Sequence, residues 1–480
     1  MLTRPTLGIR RRGRDGVRWV AETWAWQADA VAIGEQSTTT PLLAPRYRAT
    51  TLGGTALIFL YAFETMAVTT VMATVTRELD GRAWYSVAFS LTLASSVVGT
   101  VAGGLLADRR GAALPLLLAV GVFASGLLMA GLAPTIEVFV LARFLQGMGG
   151  GAVTVAIYVL VGEVFDGVDQ PRLFGLFSAA WIVPSMVGPL LAGVVADTVG
   201  WRWVFLGVLV VAGGATALIL PALRTSAQVD RARDPDGRRR LVLAVLVAAA
   251  VVSVDLAGRS ESIPGHVLAG LGVIATLAAL RPLLPPGALR VARGLPAIIA
   301  MRGTLSAGYL AAEIYVPYLL QACYDLPPWQ AGLALTGSAL TWAGAAQVQG
   351  RLGERLSHAQ AFGAGAALLT LGIAGQFLNA ALHPNGVLVA ICWMCAGAGM
   401  GLAFPRTTVA VLGASAEEER GRNSAALTMC DTVAGATSIA ITGILFAAAD
   451  GPAATGFATV FAFCAVCAGA GVVVGRRTAG

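Results

Sequence analysis

Residues 61–70, YAFETMAVTT, place one carboxylate inside an apolar stretch that runs from about Leu57 to Val75. An ionisable group deep in a hydrophobic run is costly, and within a membrane such a residue is a functional candidate. Glu64 has companions. Glu313 sits in YLAAEIY and Asp431 in LTMCDTVAG. Arg143 interrupts LARFLQGMGGGA, and Arg406 follows Pro405 in FPRTT. Burial penalises the charged form of a carboxyl group, so each acid is able to take up a proton on one side of a membrane and release it on the other. The same carboxylate attracts a cationic ligand. Competition between proton and ligand for one site is the chemistry of coupled transport. On a helical wheel Glu64 shares a face with Leu57, Leu60, Tyr61, Val68 and Val71. About ten residues into its span, it is expected to face a central cavity, together with Tyr61 and Glu313. Arg406 is expected to pair with Asp431 or Glu313. A carboxyl held only for packing is the plainer alternative for each acid.

The elements that position these groups follow from composition. The chain has 480 residues, 56% hydrophobic and only 12% charged, with mean hydropathy +0.75. Soluble domains carry about 25% charged residues, so the composition predicts an all-α polytopic membrane protein. Apolar runs of spanning length fall near 50–73, 84–106, 112–132, 136–160, 171–196, 203–222, 241–258, 264–281, 296–321, 330–350, 359–381, 386–411, 423–448 and 455–475. That gives fourteen spans.

All 33 basic residues are arginine. With the N-terminus placed inside, 26 of them fall on inside segments and 4 on outside ones. This bias predicts an even number of spans in a cytoplasmic membrane, with both termini cytoplasmic. It also argues against a nucleic-acid partner, because the basic residues are scattered over short loops of one face. Residues 1–48 read as a basic, disordered arm, with Trp19, Trp24 and Trp26 able to rest on the membrane surface. Cys392/Cys395 and Cys464/Cys467 read as helix-packing residues rather than metal or redox pairs.

An internal repeat orders the spans. GGLLADRRG (103–111) after the second span matches QGRLGERLS (349–357) after the tenth, and Glu64 corresponds to Glu313. Two six-helix halves result, 49–223 and 295–475. They are separated by a basic loop (224–240) and two inserted helices (241–282), and a short tail (476–480) follows. Paired halves are a transporter design with the site between the repeats.

Three motifs resemble those of the major facilitator superfamily. GLLADRRG resembles its gating loop after helix 2, with Gly104, Asp108, Arg109 and Gly111 matching. LARFLQGMGGGA resembles the helix 4 motif through Arg143, Gln146 and Gly147. PSMVGPLLAG resembles the helix 5 motif associated with exporters through Gly188, Pro189 and Gly193, although Pro184 replaces its usual first glycine. Fourteen spans resemble the 14-helix drug:proton antiporter group. The resemblance implies a major facilitator fold and proton-coupled efflux of amphipathic, cationic small molecules by a monomer. The energy source is then the proton gradient, with no cofactor. Export of an endogenous lipid or secondary metabolite, and proton-coupled uptake, are the alternatives. No metalloprotease, nucleophile-elbow or Walker A motif points to an enzyme.

Overall fold

The computed structural model describes residues 41–165, 169–225, 237–257, 263–382, 385–416, 419–449 and 453–478. The expected N-terminal arm and most of the basic 224–240 loop lie outside the described residues. Among those described there are fourteen α-helices and no strand. The first half holds α1 (Arg48–Glu78), α2 (Tyr85–Arg110), α3 (Ala113–Gly131), α4 (Ile136–Val164), α5 (Gln170–Thr198) and α6 (Arg202–Thr225). Then come α7 (Gly237–Ala257) and α8 (Ile263–Leu280). The second half holds α9 (Leu295–Cys323), α10 (Pro328–Leu352), α11 (His358–Leu382), α12 (Gly386–Ala414), α13 (Arg420–Ala447) and α14 (Ala453–Gly475).

Twelve of these helices are long and apolar enough to cross a membrane. The other two are α8, whose apolar stretch is shorter, and α10, whose Gln330, Gln347, Gln349 and Arg351 dilute its hydropathy. In hydrocarbon every backbone polar group needs an internal partner, which leaves the helix as the form these runs take. Turns end them where the sequence supplies a stop. Gly111 closes α2 at φ 71°, a left-handed conformation that favours glycine. Asn385 opens α12 by accepting a bond from the Val387 N–H at 2.6 Å.

The packing repeats between the halves. In the first, α1 lies on α5 and α6, α2 on α4, and α3 on α4 and α6; in the second, α9 lies on α13 and α14, α10 on α12, and α11 on α12 and α14. Two seams join the halves, α2 against α13 and α5 against α10, and α1 also touches α9. The additional pair is not symmetric. Helix α7 packs on both α2 and α13, and α8 packs on α7. It therefore bridges one seam from outside the two halves, whereas at the other seam the helix that touches both α5 and α10 is α1, a member of the first half.

Small residues set these distances. A Cβ on Gly99 would lie 2.0 Å from the Met148 carbonyl oxygen, one on Gly147 2.1 Å from that of Thr92, and one on Gly151 2.2 Å from that of Ser96. Glycines on both helices thus let α2 and α4 approach backbone to backbone, as membrane helices do when no water drives them together. At the α5–α10 seam a Cβ on Gly193 would meet the Trp329 Cα at 2.4 Å, and one on Gly332 would meet the Pro189 carbonyl oxygen at 2.5 Å.

One end of the bundle is sealed. The Tyr85 hydroxyl of α2 donates to the Ile314 carbonyl of α9. The Tyr85 ring stacks on Tyr318 at 4.5 Å and touches Tyr315 at 5.6 Å, while Tyr315 meets Phe446 of α13 at 5.4 Å. Gln321 of α9 donates to the Thr70 carbonyl of α1 at 3.0 Å and accepts from the Thr74 hydroxyl at 3.3 Å. The opposite, arginine-rich end holds a cavity of 1810 Å³ bordered by α2, α4, α7, α13 and the segment 281–290.

Gly99→Ala is expected to cost about 1–3 kcal/mol, the usual penalty of overpacking. Gly121→Ala, with nothing within 4 Å of the added atom, should match or slightly exceed the wild type. Unfolding of both purified variants in detergent, followed by tryptophan fluorescence, tests the contrast.

Candidate functional site

In the first half, Glu64, Arg143 and Gln146 form one buried network. Arg143 donates from Nη1 to Glu64 and, at 2.5 Å, to Gln146 Oε1, while its Nε reaches the Ala88 carbonyl at 3.4 Å. Gln146 in turn donates to the Gly126 carbonyl at 3.2 Å. The side chains of Glu64 and Arg143 are each 2% exposed. One ion pair therefore ties α1 to α4 and reaches backbone groups of α2 and α3. The wheel partners of Glu64 are core residues: Leu57, Leu60, Val68 and Val71 are all 5% exposed or less. Glu64 consequently lies inside the first six-helix bundle, not on the wall of the large cavity, which corrects the expectation from its helical face. Its charge is matched by an arginine, and that match makes a dry site tolerable. Tyr61 packs edge-on to Phe123 at 6.0 Å and to Trp181 at 5.8 Å, beneath Gly150, where a Cβ would strike its ring at 2.1 Å.

The second half carries its acids differently. Glu313, on the same face of α9 as Tyr309 one turn earlier, has that hydroxyl as its polar neighbour. Tyr309 also shares a bond of 3.2 Å with Ser338 of α10. Glu313 does not line the large cavity either, so the two repeat-related glutamates do not share it. Asp431 of α13 accepts from Arg302 at 3.4 Å and from Ser306, both on α9. Arg302 further donates to the Thr407 hydroxyl at 2.8 Å and sits 3.2 Å from the centre of the Phe404 ring. Arg406 pairs with neither acid. Its Nε donates to Gln349 Oε1 at 2.5 Å and its Nη2 to the Gly353 carbonyl at 2.6 Å. It pins the end of α10 at the QGRLGERLS turn, because its side chain leaves α12 on the face turned to α10.

Sequence reading passes over two charged residues. Arg302 lies roughly two turns into α9 and Asp431 roughly three turns into α13. Both helices begin at the arginine-rich end, so a depth that differs by only about one turn is the available signal for this pair. Asp255, near the far end of α7, has the look of a loop acid. It is 3% exposed and accepts bonds from Ser86, at 3.0 Å, and from Ser90, both on α2.

The motif residues occupy structural joints. Gly147 permits the close approach of α2 and α4 described above. Gly193 and Pro189 form the α5–α10 seam, and Gly188 lies against Phe63 of α1, where a Cβ would be 3.5 Å from the ring. Gly104 and Asp108 line the large cavity, and Arg109 and Arg110 are exposed at its end of α2. Asp108 is in no ion pair among the described residues. Among those residues no group of three or more His, Cys, Asp or Glu is placed to hold a metal ion.

Paired six-helix bundles with buried charges between their helices, sealed at one end and hollow at the other, define a polytopic membrane transporter. The chain belongs to the Major Facilitator Superfamily, whose family model matches residues 55–355. It is 25% identical to a probable multidrug-efflux transporter of Mycobacterium tuberculosis, over 90% of this chain and 94% of the relative. It is also 25% identical to the multidrug transporter protein MdtP of Bacillus subtilis, over 82% of this chain and 74% of the relative. Among solved structures, a POT family transporter in complex with 5-aminolevulinic acid superposes with a TM-score of 0.67 at 13% identity, covering 89% of this chain and 94% of that one. That likeness concerns the fold.

Removing one partner of the Glu64–Arg143 pair should cost far more than removing both. Arg143→Met is expected to lose about 3–5 kcal/mol of stability at neutral pH, and Glu64→Gln/Arg143→Met to recover most of it. The deficit of the single variant should shrink as pH falls, because protonation removes the unpaired charge. Denaturation of the three proteins across a pH series checks both statements.

Proposed function

We propose that this protein is a proton-coupled exporter of amphipathic small molecules that works by alternating access in the cytoplasmic membrane, its arginine-rich face inward. The observation that supports this most is the buried Glu64–Arg143 pair. Protonation of Glu64 neutralises the carboxylate and frees Arg143 to rely on Gln146 and the Ala88 carbonyl, partners it already has. The link between α1 and α4 is then weakened, and Arg143, without its counter-ion, is held by neutral hydrogen-bond acceptors alone. Helix α1 also carries Thr70 and Thr74, which hold Gln321 of α9 at the sealed end. A change of α1 against α4 thus reaches the contacts that keep that end shut. In the second half Asp431, held by Arg302 and Ser306, is the acid placed beside the cavity wall, since its neighbour Thr432 lines it. The efflux direction is supported by the relatives described as multidrug-efflux transporters and by the glycine–proline seam of α5.

The test is flux in proteoliposomes under an imposed pH gradient, with anionic, neutral and cationic amphipathic fluorophores, for wild type and Glu64→Gln. Gradient-driven movement of at least one fluorophore, with most of it lost in the variant, is the expected result. Movement indifferent to the gradient, or equal in the two proteins, rejects Glu64 as the coupling group.

A further inference from the structure

The cavity at the arginine-rich end has two kinds of wall. Its depth is apolar, built by Val97, Val101 and Leu105 of α2, Tyr158 of α4, Leu243 of α7 and Met429 of α13. Among the described residues its border carries five arginines, Arg239, Arg240, Arg281, Arg290 and Arg422, against a single acid, Asp108. Arg422 is held by Glu419 at 2.5 Å. Arg239, Arg281 and Arg290 are exposed and in no ion pair among the described residues. A ligand site normally encloses about 300–1,000 Å³, so at 1810 Å³ the cavity has room for a bulky molecule.

Arginines at this face serve topology wherever they stand. What separates these is their origin. Arg239 and Arg240 belong to α7, Arg281 directly follows α8, and Arg290 lies in the segment leading to α9. Four of the five therefore come from the chain between the two six-helix halves, which bridges only the α2–α13 seam. Without that insertion the charged residues described on the same apolar cleft would be Asp108 and an arginine already occupied by Glu419.

We infer that this cleft admits amphipathic anions, molecules with a carboxylate, sulfonate or phosphate on a large apolar body, and that the inserted helices are the element that sets this charge preference. The apolar body lies along α2 and α13, and the anionic group meets Arg239, Arg281 and Arg290, which recognise oxyanions through planar, fixed donors. This reverses the cationic preference expected from the buried acids, because Glu64 and Asp431 are paired with arginines and Glu313 does not line the cleft. The inference deepens the exporter reading and rests on it for the direction of transport, but binding is measurable at equilibrium with no gradient and no flux.

The experiment measures binding to the full chain in nanodiscs of zwitterionic lipid. Three fluorescent probes of one chain length are used, ending in a carboxylate, an alcohol or a trimethylammonium group. The carboxylate is expected to bind about tenfold tighter than the ammonium. In Arg239→Gln/Arg281→Gln/Arg290→Gln the ratio should fall to about twofold or less, with an unchanged melting temperature because the three side chains are exposed. Ala425→Trp fills the cleft from α13 without replacing an arginine and should weaken all three probes together. Adding an anionic phospholipid to the nanodiscs identifies the source of the anion. Displacement of the carboxylate probe assigns the site to a lipid, and no displacement assigns it to a free amphipathic acid; both keep the anionic preference. The inference is overturned if the ammonium probe binds wild type as tightly as the carboxylate, if the triple variant keeps the wild-type ratio, or if Ala425→Trp binds all three probes normally. A protein that passes this test but shows no gradient-driven flux would fail the exporter reading alone.

Discussion

The ion pair between Glu64 and Arg143 lies where neither water nor lipid solvates it, and the first half of the molecule is arranged to satisfy it. A lone charge at that depth costs several kcal/mol, so the arginine needs more than the carboxylate. Gln146 supplies a side-chain oxygen, and Ala88 supplies a backbone one from α2. The bond to Ala88 is within reach only because α2 and α4 touch at backbone distance. That contact in turn needs Gly99, Gly147 and Gly151 in facing positions. The glycines of the helix 4 motif and its charged residues are therefore one device. The small residues bring the helices close, and closeness makes the buried charge tolerable.

The second half uses the same helix arrangement but distributes its charges otherwise. Its Arg–Asp pair joins α9 to α13 near the hollow end, where Asp431 keeps 20% of its side chain exposed and Arg302 lies against Phe404. Glu313 keeps the place of Glu64 but has a tyrosine as its neighbour rather than an arginine. Two halves with one backbone plan thus offer acids in different environments, one enclosed and one partly wet. The sealed end depends on neither. It is closed by aromatic rings and by Gln321, whose bonds to α1 connect the halves without formal charge.

Much of this was legible in the sequence, and the limits have physical causes. The helix count, the two halves and the insertion follow from hydropathy and arginine placement, which sense the membrane directly. The carboxylate in YAFETM announces itself because nothing polar surrounds it. Its neighbours do not, because a helical wheel shows a face but not whether that face meets a cavity or another helix. For that reason Glu64 was expected on a cavity wall and stands in a packed bundle. Depth and direction separate Arg406 from Asp431: the two are close in sequence numbering, yet Arg406 leaves α12 toward α10, and Arg302 on α9 takes the acid. Asp255 was hidden by its position near a helix end, where an acid costs little unless something covers it. Its covering, α2 with Ser86 and Ser90, comes from a distant part of the chain.

The bridging of one seam and not the other has a mechanical consequence. Helix α7 is fastened to α2 through Asp255 and also rests on α13, whereas neither inserted helix packs on α5 or α10. A rocking motion of the halves would meet a strap from the insertion at one seam and none at the other. Such a motion would resemble a door hung on one jamb rather than a pair of shutters.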